Sequence, residues 1–260
     1  MKTLITLLLL LSLATLAQTR IIPFSTNPTV AGGGEPPTGD TFTTDSLAWY
    51  WNDNTLEIGL VNSWIDSIAS SELQTWGGSD TSKMPNMTAS GLHFDGGDFM
   101  YKAGLTTDVD SAISLELVLD LSDTTAYQVL IGVERIHRLT ISIINTTSDL
   151  YGRSYDGASS GFSEFDSTPV FGLHHIICTW AGGADDPKMY VDNVLLTDKG
   201  GSNGSNISGD RIVLGGSDDT GCIDCLAGSL IRLARVYWKA LTADEVAANY
   251  NSNSVQSKLP

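Results

Sequence analysis

The chain has 260 residues, and its 30 acidic side chains against 14 basic ones give a formal charge of −16. So acidic a surface repels nucleic acid and anionic lipid and suits divalent cations or neutral partners such as glycans, though the same charge also serves plain solubility. Three cysteines, Cys178, Cys222 and Cys225, are too few for a disulfide framework, so the core rests mainly on apolar burial.

Met1 and Lys2 make a short positive start, and Leu4 to Leu13 is almost unbroken apolar sequence. Thr15 and Ala17 then stand at the −3 and −1 positions of a cleavage site before Gln18. That layout predicts a secretory signal peptide over residues 1–17, and with it a secreted, extracellular or cell-surface protein, a virion particle being the alternative. The apolar run is shorter than the about 20 residues a membrane span needs, so no span is expected after cleavage. Residues 18–45 are rich in Pro, Gly and Thr without apolar periodicity and read as a flexible arm.

From Ser46 onward, short alternating runs recur between turn-forming residues. AISLELVLDL puts Ile113, Leu115, Leu117, Leu119 and Leu121 on one face and Ser114, Glu116 and Asp120 on the other. Tyr127, Val129, Ile131 and Val133 alternate in the same way, as do Leu139, Ile141 and Ile143. In HHIICTW, His174, Ile176, Cys178 and Trp180 share one face while His175, Ile177 and Thr179 share the other. The two adjacent histidines therefore point to opposite sides of a strand and cannot jointly hold one metal. KMYVDNVLL reads as a hairpin turning at Asp192-Asn193, and RIVLGG and LIRLARVYW add two more strands. Many short strands at regular spacing predict an all-β, two-sheet antiparallel sandwich. In LTADEVAANY, Thr242 and Glu245 form a capping box and Leu241 and Val246 a hydrophobic staple, which predicts one short helix docked through Val246 and Tyr250. Residues 253–260 read as a polar tail.

The order of these segments resembles the concanavalin A-like lectin/glucanase superfamily, in its laminin G-like branch. GLHFDGGDFMY (91–101) is similar to that family's F-D-G-x-D strand pair. GLHHIICTWAGG (172–183) is similar to its W-H-H-V-A-x-T-Y-D-G strand, with Leu173 in the tryptophan position. MYVDNVLL (189–196) resembles Y-V-D-G with Asn193 replacing glycine, and RIVLGG resembles L-x-I-G. LAGSLIRLARVYWKALTADEVAANY (226–250) resembles the last strand and its short helix, while LAWYWNDN and VNSWIDS are similar to a front section. The resemblance covers residues 46–252 and implies a jelly-roll sandwich; it implies no particular activity, because one fold hosts many functions.

Cys222-Ile223-Asp224-Cys225 lies in a Gly/Asp-rich loop before a strand, which suits neither a thioredoxin-like redox motif nor a complete zinc site. A small loop-stapling disulfide is expected in an oxidising compartment, with Cys178 left as a buried thiol. Relatives of this fold act on polysaccharides with paired carboxylates, but Glu164-Phe165-Asp166 lacks the second glutamate and its surroundings look like loop. ERIH (134–137) is only a faint echo of a lyase strand, and H-E-x-x-H and phosphate-loop patterns do not occur. The expectation is therefore a protein that is not an enzyme.

Many laminin G-like domains hold one calcium ion through the F-D-G-x-D loop and an acidic residue of the last strand. The resemblance thus implies calcium at Asp95 and Asp98, although Ile231 and Arg232 stand where the last-strand acids often are. Asp218 and Asp219 in SDDTG are a second candidate pair, and all four aspartates also suit turns without any metal. Of six tryptophans, Trp49, Trp51, Trp64 and Trp180 fall in matched segments and are expected in the core. Trp76, in the loop LQTWGGSD, is the candidate sugar platform, followed by Tyr155 with Arg153 nearby in RSYDGASSG. Asn86, Asn145, Asn203 and Asn206 sit in N-x-[ST] sequons. The expected partner is a glycan or glycoprotein, with a structural or adhesive protein-contact module as the first alternative and a polysaccharide-acting hydrolase or lyase as the second.

Overall fold

The alternating run at 113–121 becomes the central strand of the first sheet. Ile113–Leu121 pairs antiparallel with Gly172–Trp180 on one side and with Ala227–Tyr237 on the other. Lys188–Val191 and Val194–Leu195 extend the sheet beyond the first neighbour. Gly91–Asp95, Asn86–Thr88 and Gly59–Leu60 extend it beyond the second, and Leu47–Asn52 also pairs with Ala227–Tyr237. The second sheet runs Asp198–Ser202, Ser160–Phe165, Leu150–Tyr155, Arg138–Ile143, Gln128–Arg135, Ile207–Leu214, Met100–Ala103, Glu72–Thr75 and Ser63–Ile65. A separate ribbon pairs Ser217–Asp218 with Cys222–Ile223.

These elements come from a computed structural model that describes residues 42–260 except 69–70, 76–79, 105–107, 110–111, 123–126, 136–137, 144–149, 156–159, 166–170, 183–184, 203–206, 219–221 and 224. Side chains of some further strand residues, among them Arg153, Tyr155, Asp218 and Cys222, also lie outside the description. So do the expected signal peptide and the arm as far as residue 41.

The inner faces of the two sheets meet in one apolar cluster that includes Phe94, Leu117, Ile141 and Ile176. The four tryptophans expected in the core are there, between 0% and 9% exposed. Each fully buried large aliphatic or aromatic side chain in such a cluster is worth about 1.5–3 kcal/mol. The alternation expected from Tyr127 to Val133 holds with one irregularity: the register shifts between Val129 and Ile131, so Leu130 and Ile131 both reach the core. The hairpin turns at Asp192 and Asn193, whose φ values of 49° and 64° give the primed geometry a two-residue hairpin needs.

The outer face of the first sheet is covered as well. A helix, Ala243–Tyr250, starts at Thr242 with the complete capping box, and Leu241 and Val246 pack together with Ile177 and Tyr237. The polar tail expected over 253–260 is corrected by a helical turn, Asn253–Gln256. Val255 and Leu259, four residues apart, dock on Val118, Leu233 and Tyr50. The Lys258 ammonium bonds Asp53 and, at 2.7 Å, Asn54. At the other terminus Phe42, at the end of the expected arm, is buried in the same cluster. Among the described residues no helix is long and apolar enough to cross a membrane.

Candidate functional site

The strand Gly91–Asp95 leaves the sheet through Gly96, whose φ of +94° is a conformation glycine adopts without a Cβ penalty. In the turn that follows, the Asp95 amide donates to Asp98 Oδ2 at 3.1 Å and the Gly97 amide donates to Asp95 Oδ1 at 3.0 Å. A Cβ on Gly97 would lie 3.3 Å from Asp95 Oδ1 and 3.7 Å from the Ser82 carbonyl oxygen, so both oxygens converge on this glycine. Asp98 is 2% exposed, and its Oδ1 has no hydrogen-bond partner. Burial, seconded by the charge of Asp95, pushes its carboxyl up to about 6, against the Asp95 amide bond and the nearby Lys83.

Buried carboxylates are normally satisfied, so the orphaned oxygen of Asp98 requires an explanation. A hard divalent cation supplies one: it takes oxygen ligands from carboxylates and main-chain carbonyls, and it lets neighbouring carboxylates stay ionised together. Asp95, Asp98 and the Ser82 carbonyl are the donors this turn offers. The last strand adds no acid, because Ile231 is in the core and Arg232 donates from Nη1 to the Lys258 carbonyl at 2.9 Å. Among the described residues no three His, Cys, Asp or Glu side chains come together, so such a site depends on main-chain oxygens.

Of the second candidate pair, Asp218 pairs through its backbone with Cys222, and Asp219 lies outside the described residues. The loop that carries them nevertheless stands beside the Asp95–Asp98 turn. A Cβ on Gly216 would come within 2.8 Å of Phe99 Cβ and 2.9 Å of Cys225 Sγ. The two loops named for metal therefore share one end of the sandwich. Cys225 is disulfide-bonded, and Cys178 is a free buried thiol that burial pushes up to about 12, too high to react.

The sugar candidates are placed differently. Trp76 lies outside the described residues. Arg153 and Tyr155 were expected in a loop, but they belong to the strand Leu150–Tyr155, opposite Thr140 and Arg138. Glu164 likewise sits on a strand, Ser160–Phe165, and not in a loop.

The histidines do face opposite ways. His174 Nδ1 lies 2.6 Å from Asp192 at the hairpin, whereas His175 Nε2 lies 2.8 Å from Glu116 beneath the helix. Glu116 is the residue whose setting the sequence concealed. It is fully buried and also accepts from Arg235 Nη1 at 2.9 Å, Tyr237 OH at 2.9 Å and Asn249 Nδ2 at 2.8 Å. Burial alone would raise its pKa, but Arg235 and the surrounding donors bring it down to about 2. The Arg235 guanidinium is stacked 3.9 Å over the Phe42 ring and 4.6 Å over the Tyr50 ring. Nothing in this network is open to a ligand; it fastens helix to sheet.

No family model and no curated protein matches the chain. Solved structures do share the sandwich. Trypanosoma rangeli sialidase in complex with sialic acid aligns with a TM-score of 0.57 at 15% identity, over 79% of this chain and 32% of the sialidase. The botulinum neurotoxin serotype D binding domain aligns with a TM-score of 0.53 at 14% identity, over 79% of this chain and 51% of that domain. The chain thus spans about a third to a half of these structures, and at such identity the likeness is one of fold: a jelly-roll-like β-sandwich. One expectation is corrected by them. Without a paired-carboxylate pattern the sequence reads as that of a protein that is not an enzyme, yet the same sandwich recurs in sialidases, which are enzymes. The fold therefore belongs to enzymes as well as to binding domains.

Proposed function

We propose that this domain recognises carbohydrate on glycans or glycoproteins through its loop end, assisted by calcium held at Asp95 and Asp98. The observation that carries this reading is the buried, unpartnered Oδ1 of Asp98 beside a second carboxylate. A bound cation would fix the turn and present open coordination positions to sugar hydroxyls. Sharing the sandwich with a sialidase bound to sialic acid and with a toxin binding domain supports a glycan partner. The motif order quoted above supports a laminin G-like member of the fold, and the leader sequence supports an extracellular or surface location.

A second reading, an adhesive protein-contact module, draws on the exposed large apolar residues. Ile58 and Leu60 lie at one edge of the first sheet, Val194 and Leu195 at the other, and Phe171 just ahead of the strand Gly172–Trp180. A glycan microarray probed with residues 18–260, once with calcium and once with EDTA, separates the two. Calcium-dependent binding to a defined sugar class, lost in Asp98→Asn, is the expected result. Silence in both conditions would overturn the glycan reading and favour protein contact.

A further inference from the structure

Of the four N-x-[ST] sequons, Asn86-Met87-Thr88 coincides with a described strand, whereas Asn145, Asn203 and Asn206 lie outside the described residues. The strand Asn86–Thr88 is the last but one toward an edge of the first sheet. Gly91–Asp95 pairs with it on one side, and the two-residue strand Gly59–Leu60 pairs on the other and forms the edge. Met87 belongs to the core, which fixes the alternation along the strand. Asn86 therefore points to the outer face of the first sheet, where it is exposed. Its opposite residues in register are His93 and Leu60. Directly opposed residues of an antiparallel pair share a face, with Cβ atoms about 4.5–5.5 Å apart. Leu60 is 56% exposed, and Ile58, two residues before it, is 75% exposed. An apolar sheet edge of this kind is a liability unless something covers it.

We propose that Asn86 is an acceptor for an N-linked glycan, whose first sugars cover Leu60 and Ile58. The reaction requires entry into a secretory compartment and so rests on the extracellular reading above; the choice of Asn86 rests on the strand and its neighbours. The donor is a lipid-linked oligosaccharide diphosphate. The Asn86 side-chain nitrogen attacks C1 of the first sugar, and the C1–O bond to the diphosphate breaks as the C1–N bond forms. The amide proton passes to a base of the transferase, and the lipid diphosphate leaves. The folded hairpin sets when this happens. Thr88 Oγ1, the hydroxyl that completes the sequon, donates to the Gly91 carbonyl at 2.9 Å and accepts from the Ser90 amide at 3.1 Å. The strand backbone is also paired on both sides. Transfer therefore precedes closure of the hairpin, and the folded domain then supplies an outward, exposed position with room for the product. A bulky, hydrated glycan there keeps a second sheet edge from adding to Gly59–Leu60. It also confines the protein-contact reading to the opposite edge, at Val194 and Leu195.

The test expresses the whole chain in a eukaryotic secretory host, once behind its own leader and once with residues 1–17 replaced by the leader of the host. Asn145→Gln, Asn203→Gln and Asn206→Gln are combined so that Asn86 is the one sequon left. Intact mass, before and after peptide N-glycosidase, is read on secreted and retained protein alike. The expected product carries a single glycan, and its enzymatic removal converts Asn86 to Asp. Thr88→Ser should keep the glycan, whereas Thr88→Ala and Asn86→Gln should each lose it. An unmodified Asn86 in the product delivered by the host leader overturns the assignment. If only the product with its own leader is retained and bare, the extracellular reading fails and the acceptor stands. The covering role is read from aggregation: Asn86→Gln should aggregate about two-fold faster than the glycosylated protein, and Leu60→Ser added to it should remove the difference. Equal rates with and without the glycan overturn that half of the proposal.

Discussion

Glu116 and Asp98 are carboxylates with almost no exposed surface, 0% and 2%, and burial pushes both toward the neutral form. Their pKa values nevertheless part, down to about 2 for Glu116 and up to about 6 for Asp98. The difference lies in what each oxygen meets. Both oxygens of Glu116 accept hydrogen bonds, from Arg235 and His175 on one and from Tyr237 and Asn249 on the other. Asp98 receives one amide bond on Oδ2, and beside it stands the Asp95 carboxyl, whose charge and side-chain hydrogen bond both favour the protonated form. A buried carboxylate with all its lone pairs engaged is a structural fastening; one left partly unsatisfied beside another acid is held toward its neutral form, and it is there that we propose a cation binds.

The strongest way to break this contrast is Glu116→Gln, which leaves Arg235 charged and unpaired in the interior. Urea unfolding is expected to show a loss of about 3–5 kcal/mol, and Arg235→Met added to it should recover part of that loss. Acid is the next largest lever. The folded pKa of Glu116, about 2, lies below its ordinary 4.5, so its stabilisation is complete above pH 4.5 and is lost as pH falls toward 2. That contribution is on the order of 3 kcal/mol and appears as an acid-unfolding limb in pH-dependent melts.

Asp98 has the opposite sign. Its folded pKa of about 6 lies above the ordinary 3.8, so its contribution is full below 3.8 and is lost as pH rises through 6. Asp98→Asn should therefore raise neutral-pH stability without calcium by about 1 kcal/mol, a figure discounted for solvent reaching the exposed Asp95 beside it. The same substitution should erase the calcium stabilisation expected of the wild type, about 2.7 kcal/mol at one hundred times the dissociation constant, which is read as a rise in melting temperature. A calcium response surviving in Asp98→Asn would place the ion elsewhere. Thr242→Ala should cost about 0.5–1 kcal/mol by uncapping the helix over Glu116, and should leave the calcium response unchanged.

Local signals carried most of the fold. The period-2 runs at 113–121 and 174–180, the Asp192-Asn193 turn and the Thr242/Glu245 capping box each depend on neighbours a few residues away, and each stands as read. What was hidden depends on distant partners. Glu116 reads as a solvent-side residue until the helix covers it, and its partner Arg235 is 119 residues away. The clue was present in Val246 and Tyr250, whose docking had to bury part of that face. The strand carrying Arg153 and Tyr155 was masked by the turn-like composition of DGASS, since only register could extend it. The polar letters of 253–260 hid Val255 and Leu259 at helical spacing. No local pattern announces the orphaned oxygen of Asp98, because it results from which donors fail to arrive.

The pairing of Leu47–Asn52 with Ala227–Tyr237 joins one of the first strands of the domain to its last across more than 170 residues of sequence. Such pairing gives the sandwich a high contact order, and loop-closure entropy must be overcome before the contacts return any energy. During synthesis the strand holding Glu116 therefore waits with one edge open until Ala227–Tyr237 and the helix behind it have left the ribosome. Folding is thus expected to be slow and post-translational, and a chain cut short of residue 237 presents a long apolar strand edge, the kind that seeds aggregation.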